Sequence, residues 1–483
     1  MGAGVSNWRL ARAVSKQGQL GVVSGVALDI ILARRLQDGD PGGHMRLALD
    51  HFPFRKVAEK ILKKYYIPGG KGENKPYWYV PVHTKKNERE VTELCIAGNF
   101  VEVFLARQGH DNPVGINYLE KIQMPHLSSI YGAMLAGVGY VLMGAGIPVR
   151  IPGVLDNFAQ HDPATYPLYV AGAQEGDDTT MTLAPREFME CDLPPLHRPV
   201  FLAIVASNTL ATTLVRKANG RVDGFIVEGP TAGGHNAPPR GKLQLNKAGE
   251  PIYGERDQVD LQKMCELGLP FWLAGGYGSA EKFQEALRAG AAGVQVGTPF
   301  AFCTESGLRE DYKQAILDQA ACGKVQVFTD RLASPTGFPF KCVLLKGSGS
   351  DADAYKERSR VCDVGQLREA YRTPEGTIAY RCASEPVAAY VKKGGKLEDT
   401  ADRKCLCNAL LANIGYPQVR GDNYRELGLV TAGDVLVELA RFLPSDSTAY
   451  TAADVIGRML NAGQNERPIE VTTCSDPLTP ADC

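Results

Sequence analysis

A histidine that follows two glycines is the strongest candidate for chemistry in the sequence. His235 ends the segment VEGPTAGGH, residues 227–235. Adjacent glycines let the backbone approach a flat ring or a phosphate closely, and histidine exchanges protons near neutral pH. The alternative is a loop histidine bonded to a backbone carbonyl. The Gly-Gly-His context favours a catalytic residue.

Two glycine turns, one βα unit apart, give a second signal. The first ends in Gly275 and Gly276, and the second ends in Gly297 and Thr298. Glycine lets backbone N–H groups point at an anion beside a helix N-terminus. The loops after the last two strands of a (β/α)8 barrel commonly hold a phosphate in this way. The pair predicts a phosphate site, with ordinary glycine turns as the alternative.

Four cysteines near the C-terminal end form an independent hypothesis. Cys362, Cys382, Cys405 and Cys407 lie close in sequence, and the last two form a Cys-x-Cys pair. Tetrahedral thiolate sites suit zinc or an iron–sulfur cluster. The spacing is not that of a standard zinc ribbon, so four unligated cysteines stay as the alternative.

The elements that must position these residues are short apolar runs that alternate with amphipathic stretches. Such runs are typical of a parallel sheet built from βα units. The sequence contains seven such runs, one strand fewer than a closed (β/α)8 TIM barrel needs. We therefore expect the first strand to be missing, through a misassigned start or an N-terminal truncation. The seven predicted strands are Leu20 to Ser24, Val114 to Leu119, Tyr140 to Met143, Phe201 to Ala206, Asp223 to Val227, Phe271 to Ala274 and Gly293 to Val296.

The alternation of apolar runs and amphipathic stretches is interrupted in three places. Inserts are expected at about residues 34–110 and 149–199. The βα pattern ends near residue 334, and the rest of the chain carries the four cysteines. We expect a barrel domain over 1–333 and a C-terminal extension over 334–483 that binds a metal if the cysteines are ligands.

Composition narrows the classes of function. The 483 residues carry 53 Lys and Arg against 54 Asp and Glu, a formal net charge of -1, so no overall positive charge is available to bind nucleic acid. No apolar run approaches a membrane span or a secretory signal. The sequence therefore predicts a cytoplasmic protein that acts on a small molecule. A homodimer is left open.

Four segments resemble the nitronate monooxygenase family, formerly called 2-nitropropane dioxygenases, whose FMN-dependent barrels also include flavin enoyl-ACP reductases. They follow the family's order over roughly residues 1–305. The resemblance implies a TIM barrel with FMN at the carboxyl ends of its strands. The segments are MGAGVSNWRLARAVSKQGQLGVVSG, PVGINYL, VDGFIVEGPTAGGH and PFWLAGGYGSAEKFQEALRAGAAGVQVGTPF.

The resemblance also implies roles for individual residues. His235 matches the family's active-site histidine, and the two glycine turns would hold the FMN phosphate. Thr231 replaces the family's usual acid, and Asn236 follows the histidine, so the substrate side of the pocket is altered. The implied FMN-binding residues are Gly2, Ala3, Asn117, Glu228, Gly233, Gly234, Gly275, Gly276, Gly297 and Thr298.

The implied activity is that of an FMN-dependent oxidoreductase, which oxidises a nitronate or a related small anionic substrate with O2. One alternative is an NAD(P)H-dependent enoyl-thioester reductase that works with fatty-acid or polyketide synthesis and takes an acyl-carrier protein as its partner. Another is a degenerate flavin-binding protein whose C-terminal extension docks a partner.

Overall fold

A parallel sheet of seven strands forms the centre of the protein. The structure is a computed structural model that describes residues 2–421, 424–444 and 447–460. Each strand is hydrogen-bonded to the next one in chain order. All seven predicted strands are confirmed to within one residue at each end. They are β1 (Gly21–Ser24), β2 (Val114–Leu119), β3 (Tyr140–Gly144), β4 (Val200–Val205), β5 (Gly224–Glu228), β6 (Phe271–Ala274) and β7 (Gly293–Gln295).

The sheet has the order of an α/β barrel with inserts, which confirms the predicted fold class. Its strands are short apolar runs that are buried over most of their length, as parallel strands covered on both faces require. Within the described residues, β1 and β7 each pair with one other strand of this sheet.

Helices connect and cover the strands. The first helix begins where Asn7 caps it, because the Asn7 side chain accepts hydrogen bonds from the backbone N–H groups of Arg9 and Leu10. No described helix combines the length and apolarity needed to cross a membrane. The α-helices are Trp8–Lys16, Leu28–Gln37, His44–Asp50, Arg55–Tyr65, Arg89–Ala106, His126–Leu135, Ile151–Ala159, Asn208–Lys217, Leu261–Glu266, Ala280–Arg288, Thr298–Ala301, Glu310–Ala321, Ala352–Lys356, Val387–Lys392, Leu406–Asn413 and Ala452–Leu460, and the 3-10 helices are Pro185–Glu187, Glu255–Asp257, Leu397–Thr400 and Asp434–Phe442.

The region of the first predicted insert packs into the core. Its longest helix, Arg89–Ala106, is buried on nearly all sides. Glu102 of this helix accepts hydrogen bonds from the Arg35 guanidinium at 2.5 Å and from the Trp8 backbone N–H at 2.8 Å. These contacts tie the helix to the two helices that flank β1.

The region of the second predicted insert and the C-terminal extension meet in shared sheets. Strand Val170–Ala171 pairs in parallel with Glu369–Arg372, which also pairs with Ile378–Arg381. Strand Ala164–Pro167 pairs with Thr180–Leu183, and Val419–Arg420 pairs with Tyr424–Arg425.

The C-terminal extension also pairs with the segment that carries the candidate histidine. Strand Phe340–Val343 lies between Val327–Asp330 and the two-residue strand Gly234–His235, antiparallel to both. Val343 and Leu436 of the extension belong to the same hydrophobic core as Leu273 of β6. The extension therefore contributes to both the core and the surroundings of His235.

Candidate active site

A cavity of about 390 Å³ opens at the carboxyl ends of the parallel strands. Because the carboxyl ends of parallel strands meet at one edge of the sheet, residues far apart in sequence converge there. Ser24, Asn117, Gly144, Glu228 and Gln295 all line the cavity from the ends of strands.

Seven of the predicted site residues line this cavity. They come from the N-terminal loop, from β2, and from the end of β5 with the loop that follows it. The structure therefore brings these predicted residues together around one cavity, and their roles in FMN binding and catalysis stay predictions. The seven are Gly2, Ala3, Asn117, Glu228, Gly233, Gly234 and His235.

The two predicted phosphate turns lie beside each other but outside the residues that line this cavity. Gly275 and Gly276 follow β6 with φ of 85° and 84°, a left-handed conformation that favours glycine. A Cβ on Gly275 would lie 2.9 Å from Thr231 Oγ1, so a larger residue does not fit there without a shift. The phosphate site remains a prediction.

The second phosphate turn is closed by the C-terminal extension. The Thr298 hydroxyl accepts a hydrogen bond of 2.8 Å from the Gly433 backbone N–H. Gly297 lines a second cavity of about 390 Å³, whose lining also includes Leu142 and Leu202 of the parallel sheet.

His235 is held by three residues of the C-terminal extension. Its Nε2 lies 2.7 Å from Ser334 Oγ. Its ring makes edge contacts with Phe340 at 4.8 Å and Phe338 at 6.4 Å between centroids. Burial, and then the charge of Lys121, lower the pKa of His235 well below its ordinary value. The imidazole is therefore uncharged at pH 7 and can form a hydrogen bond with an anionic group.

Lys121, which sequence reasoning missed, lies beside this site but is not among the residues that line the cavity. It follows the end of β2 by two positions, and its Nζ lies 4.3 Å from the centroid of the Phe338 ring. Burial lowers the pKa of Lys121 to about 7. Burial likewise raises the pKa of Glu228 to about 7, and the charge of Lys121 partly offsets that shift. A lysine just after a strand of the parallel sheet was the signal that could have identified it.

Residues after 333 supply another wall that the sequence did not reveal. Phe338 and Phe340 line the cavity together with Gln366, Leu367 and Cys407. Contacts between such distant residues leave no local pattern in the sequence.

A loop after His235 lies at the mouth of the cavity. The Arg240 backbone N–H donates to Asp257 at 2.8 Å, and the Arg240 guanidinium donates to the Ala206 carbonyl at 2.6 Å. The Tyr253 hydroxyl donates to the Ala237 carbonyl at 3.1 Å. These bonds hold the loop across the end of β4.

The four predicted cysteines converge on a small cavity of about 10 Å³. However, no group of three or more His, Cys, Asp or Glu residues in the described part of the chain is arranged to hold a metal ion. A hydrogen bond with Cys382 and burial raise the pKa of Cys362, and burial raises the pKa of Cys407. The predicted zinc or iron–sulfur centre therefore gains no support from the arrangement of the described residues.

Comparison with known proteins gives matches to one family. Residues 190–332 match the family model described as nitronate monooxygenase. A nitronate monooxygenase of Pseudomonas aeruginosa is 25% identical over 251 residues, which cover 52% of this chain and 64% of that protein. A nitronate monooxygenase of Paraburkholderia phytofirmans is 31% identical over 120 residues, which cover 25% of this chain and 31% of that protein. The chain thus spans less than two thirds of these relatives.

Among solved structures, the chain is similar to that of FabK from Thermotoga maritima. It is 17% identical, covers 95% of this chain and 88% of its own, and gives a TM-score of 0.44. The predicted resemblance is confirmed by the family match and the curated relatives: the chain is related to the nitronate monooxygenases. The match includes β5, β6 and β7 and the histidine that lines the cavity.

Proposed function

We propose that the chain is an FMN-dependent oxidoreductase that oxidises a nitronate, or a related small anionic substrate, with O2. The observation that supports this most is the position of His235. It lines the cavity at the carboxyl ends of the strands, within the segment that matches the nitronate monooxygenase family.

The residues around the cavity fit a flavin. A volume of about 390 Å³ lies within the roughly 300–1,000 Å³ of cofactor and small-ligand sites. Val26, Ile122 and Ile204 provide apolar walls for a flat ring, and Asn117 and Gln295 provide polar groups for its edges. FMN bound there supplies the electron acceptor for the oxidation.

His235 is the group that handles the proton. Its pKa is lowered, so the imidazole is uncharged at pH 7 and can hydrogen-bond an anionic substrate or take a proton from a neutral nitroalkane. The hydrogen bond between Nε2 and the Ser334 hydroxyl holds the imidazole ring in one orientation. Phe338 and Phe340 cover the histidine and limit the access of water.

The reaction is tested by what bleaches the flavin of the purified protein without oxygen. We expect propyl-2-nitronate to bleach it, and oxygen to restore the colour with release of nitrite. Bleaching by NAD(P)H and re-oxidation by an enoyl thioester, with no response to nitronate, contradicts the proposal and favours the reductase alternative. A colourless protein that does not take up FMN contradicts both and favours a flavin-free role.

His235→Ala tests the role of the histidine. We expect turnover to fall by about 100-fold or more, as for loss of a general base, with FMN still bound. His51→Ala is the matched control, because His51 is exposed, hydrogen-bonds the Leu47 carbonyl and lies outside the lining of the cavity. Equal activity of the two variants removes His235 from the mechanism.

A further inference from the structure

Glu228 lines the cavity, and its carboxyl group has no hydrogen-bond or ion-pair partner among the described residues. The four glutamates that are fully buried in the described part of the chain differ in this respect, because each one is paired with a basic side chain. The unpaired carboxyl group of Glu228 is therefore a candidate for contact with a ligand. The four pairs are Glu93 with Arg89, Glu102 with Arg35, Glu385 with Lys393 and Glu426 with Arg358.

The position of Glu228 opens its carboxyl group to the cavity. Glu228 is the last residue of β5, and the loop that follows this strand carries His235, which lines the same cavity. The carboxyl oxygens of Glu228 are not enclosed by protein atoms, in contrast to Lys121 Nζ. A ligand in the cavity can therefore reach the carboxyl group of Glu228 directly.

The surroundings of Glu228 favour the protonated form of its carboxyl group. Burial raises the pKa of Glu228 to about 7, and the charges of the α-amino group and of Lys121 partly offset that shift. A protonated carboxyl group donates a hydrogen bond, whereas an ionised one only accepts. Since the His235 imidazole is uncharged at pH 7, protonation of Glu228 leaves a hydrogen-bond donor in the cavity and removes a negative charge that would repel an anion.

We propose that the protonated carboxyl group of Glu228 donates a hydrogen bond to the negatively charged oxygen of a small monoanionic substrate in the cavity, and that ionisation of Glu228 expels this anion. The proposal assigns Glu228 to the substrate, whereas the family resemblance implies a contact with FMN. It rests on the proposed function for the reaction that follows, but binding of the anion does not require turnover.

The test measures the binding of nitrite, a small monoanion, to the purified full-length protein by titration calorimetry. Nitrite stays anionic between pH 6 and pH 8, so a change in its affinity over this range reports on the protein. We expect the Kd of the wild type to rise about tenfold from pH 6 to pH 8. The reason is that the protonated fraction of a group with a pKa of about 7 falls about tenfold over that range.

Two substitutions of Glu228 separate its hydrogen bond from its charge. Glu228→Gln keeps a donor and cannot ionise, so we expect a Kd near that of the wild type at pH 6 and no change at pH 8. Glu228→Met keeps the length of the side chain without the donor, and we expect the Kd at pH 6 to rise about tenfold or more. Glu438→Gln is the control, because Glu438 is about half exposed and lies outside the lining of the cavity. It should keep the wild-type Kd at both pH values.

Other charged groups lie at the cavity, so the pH trend has to be assigned by substitution. The charges of the α-amino group and of Lys121 act on Glu228, and burial lowers the pKa of Lys121 to about 7 as well. A trend that persists unchanged in Glu228→Gln comes from one of these other groups and overturns the proposal. The other titratable or charged side chains in the lining are those of His235, Arg240, Tyr253, Asp257 and Cys407.

The failure of this inference is distinguishable from that of the proposed function, because calorimetry detects the anion without turnover. Wild-type protein that binds no nitrite, or binds it equally at pH 6 and pH 8, overturns the role of Glu228. So does a loss of FMN affinity in Glu228→Met, measured by flavin fluorescence, without a loss of nitrite affinity. If the wild type binds nitrite through Glu228 but does not oxidise nitronates, the proposed reaction is wrong and the anion site stands.

Discussion

Two cavities of the molecule share a wall and differ in how their charged groups are satisfied. Leu367 and Cys407 line both the large cavity and the small one formed by the cysteines. Beside the small cavity, Arg358 and Glu426 form a buried ion pair. At the large cavity, Glu228 is a lining residue, and burial raises the pKa of its carboxyl group to about 7. The comparison teaches that the same residue type forms a structural ion pair at one cavity and faces the open space of the other.

The largest expected effect is on stability beside the small cavity. Glu426 accepts hydrogen bonds from Arg358 and Arg420, and Glu426→Gln leaves the buried Arg358 guanidinium facing a neutral amide. We expect the free energy of unfolding to fall by about 3–5 kcal/mol, as for loss of one partner of a buried pair. Unfolding in urea measures this.

Glu438→Gln is the control for that substitution. Glu438 forms an ion pair with Arg441, and its side chain is about half exposed, so its loss should cost less than about 1 kcal/mol. If the free energy of unfolding falls by a similar amount in Glu426→Gln and Glu438→Gln, the buried Arg358 pair contributes no more than a surface ion pair.

Replacing a glutamate by glutamine in the large cavity should raise the stability of the protein instead of lowering it. Burial raises the pKa of Glu228 to about 7, so the unfolded chain releases this proton at lower pH than the folded protein. Stability therefore falls as pH rises from about 4.5 towards 7. We expect Glu228→Gln to become progressively more stable than wild type over that range. The Tm of the two proteins as a function of pH measures it, and a constant difference contradicts the shifted pKa.

A smaller effect is expected from the residue that positions His235. Ser334→Ala removes the partner of Nε2, and a neutral hydrogen bond of about 1 kcal/mol corresponds to roughly a fivefold fall in kcat. KM should change little, and the ionisation seen in the pH profile of kcat should shift. Ser306→Ala removes another buried hydroxyl, which donates to the Ala301 carbonyl at 2.7 Å, and should affect stability alone.

The smallest effect is expected at the four cysteines. A maleimide should label the exposed Cys191 and Cys265 of the native protein, while the buried Cys382 and Cys405 of the small cavity should react only after unfolding. Because no group of three or more possible ligands in the described part of the chain is arranged to hold a metal ion, we expect no stoichiometric zinc, iron or acid-labile sulfide in protein purified without oxygen. One equivalent of metal per chain overturns the contrast between the two cavities and supports the cysteine site.

The sequence by itself was enough to predict the strands of the parallel sheet and the position of His235 after one of them. Each buried strand of a parallel sheet is a continuous apolar run, so the pattern is local and readable, as β2 and β6 illustrate. His235 could be placed because it follows such a run after two glycines. The motifs also identified the relation to the nitronate monooxygenases, which the comparisons confirm.

Only the tertiary structure decided which side chains act on one another. Ser334 and Phe338 reach His235 from about 100 positions away, and no periodicity encodes such a contact. Lys121 looks like any loop lysine in the sequence, because the absence of a hydrogen-bond partner is a property of its three-dimensional surroundings. The spacing of the cysteines likewise placed them near one another in sequence, but only the structure shows that they share one small cavity.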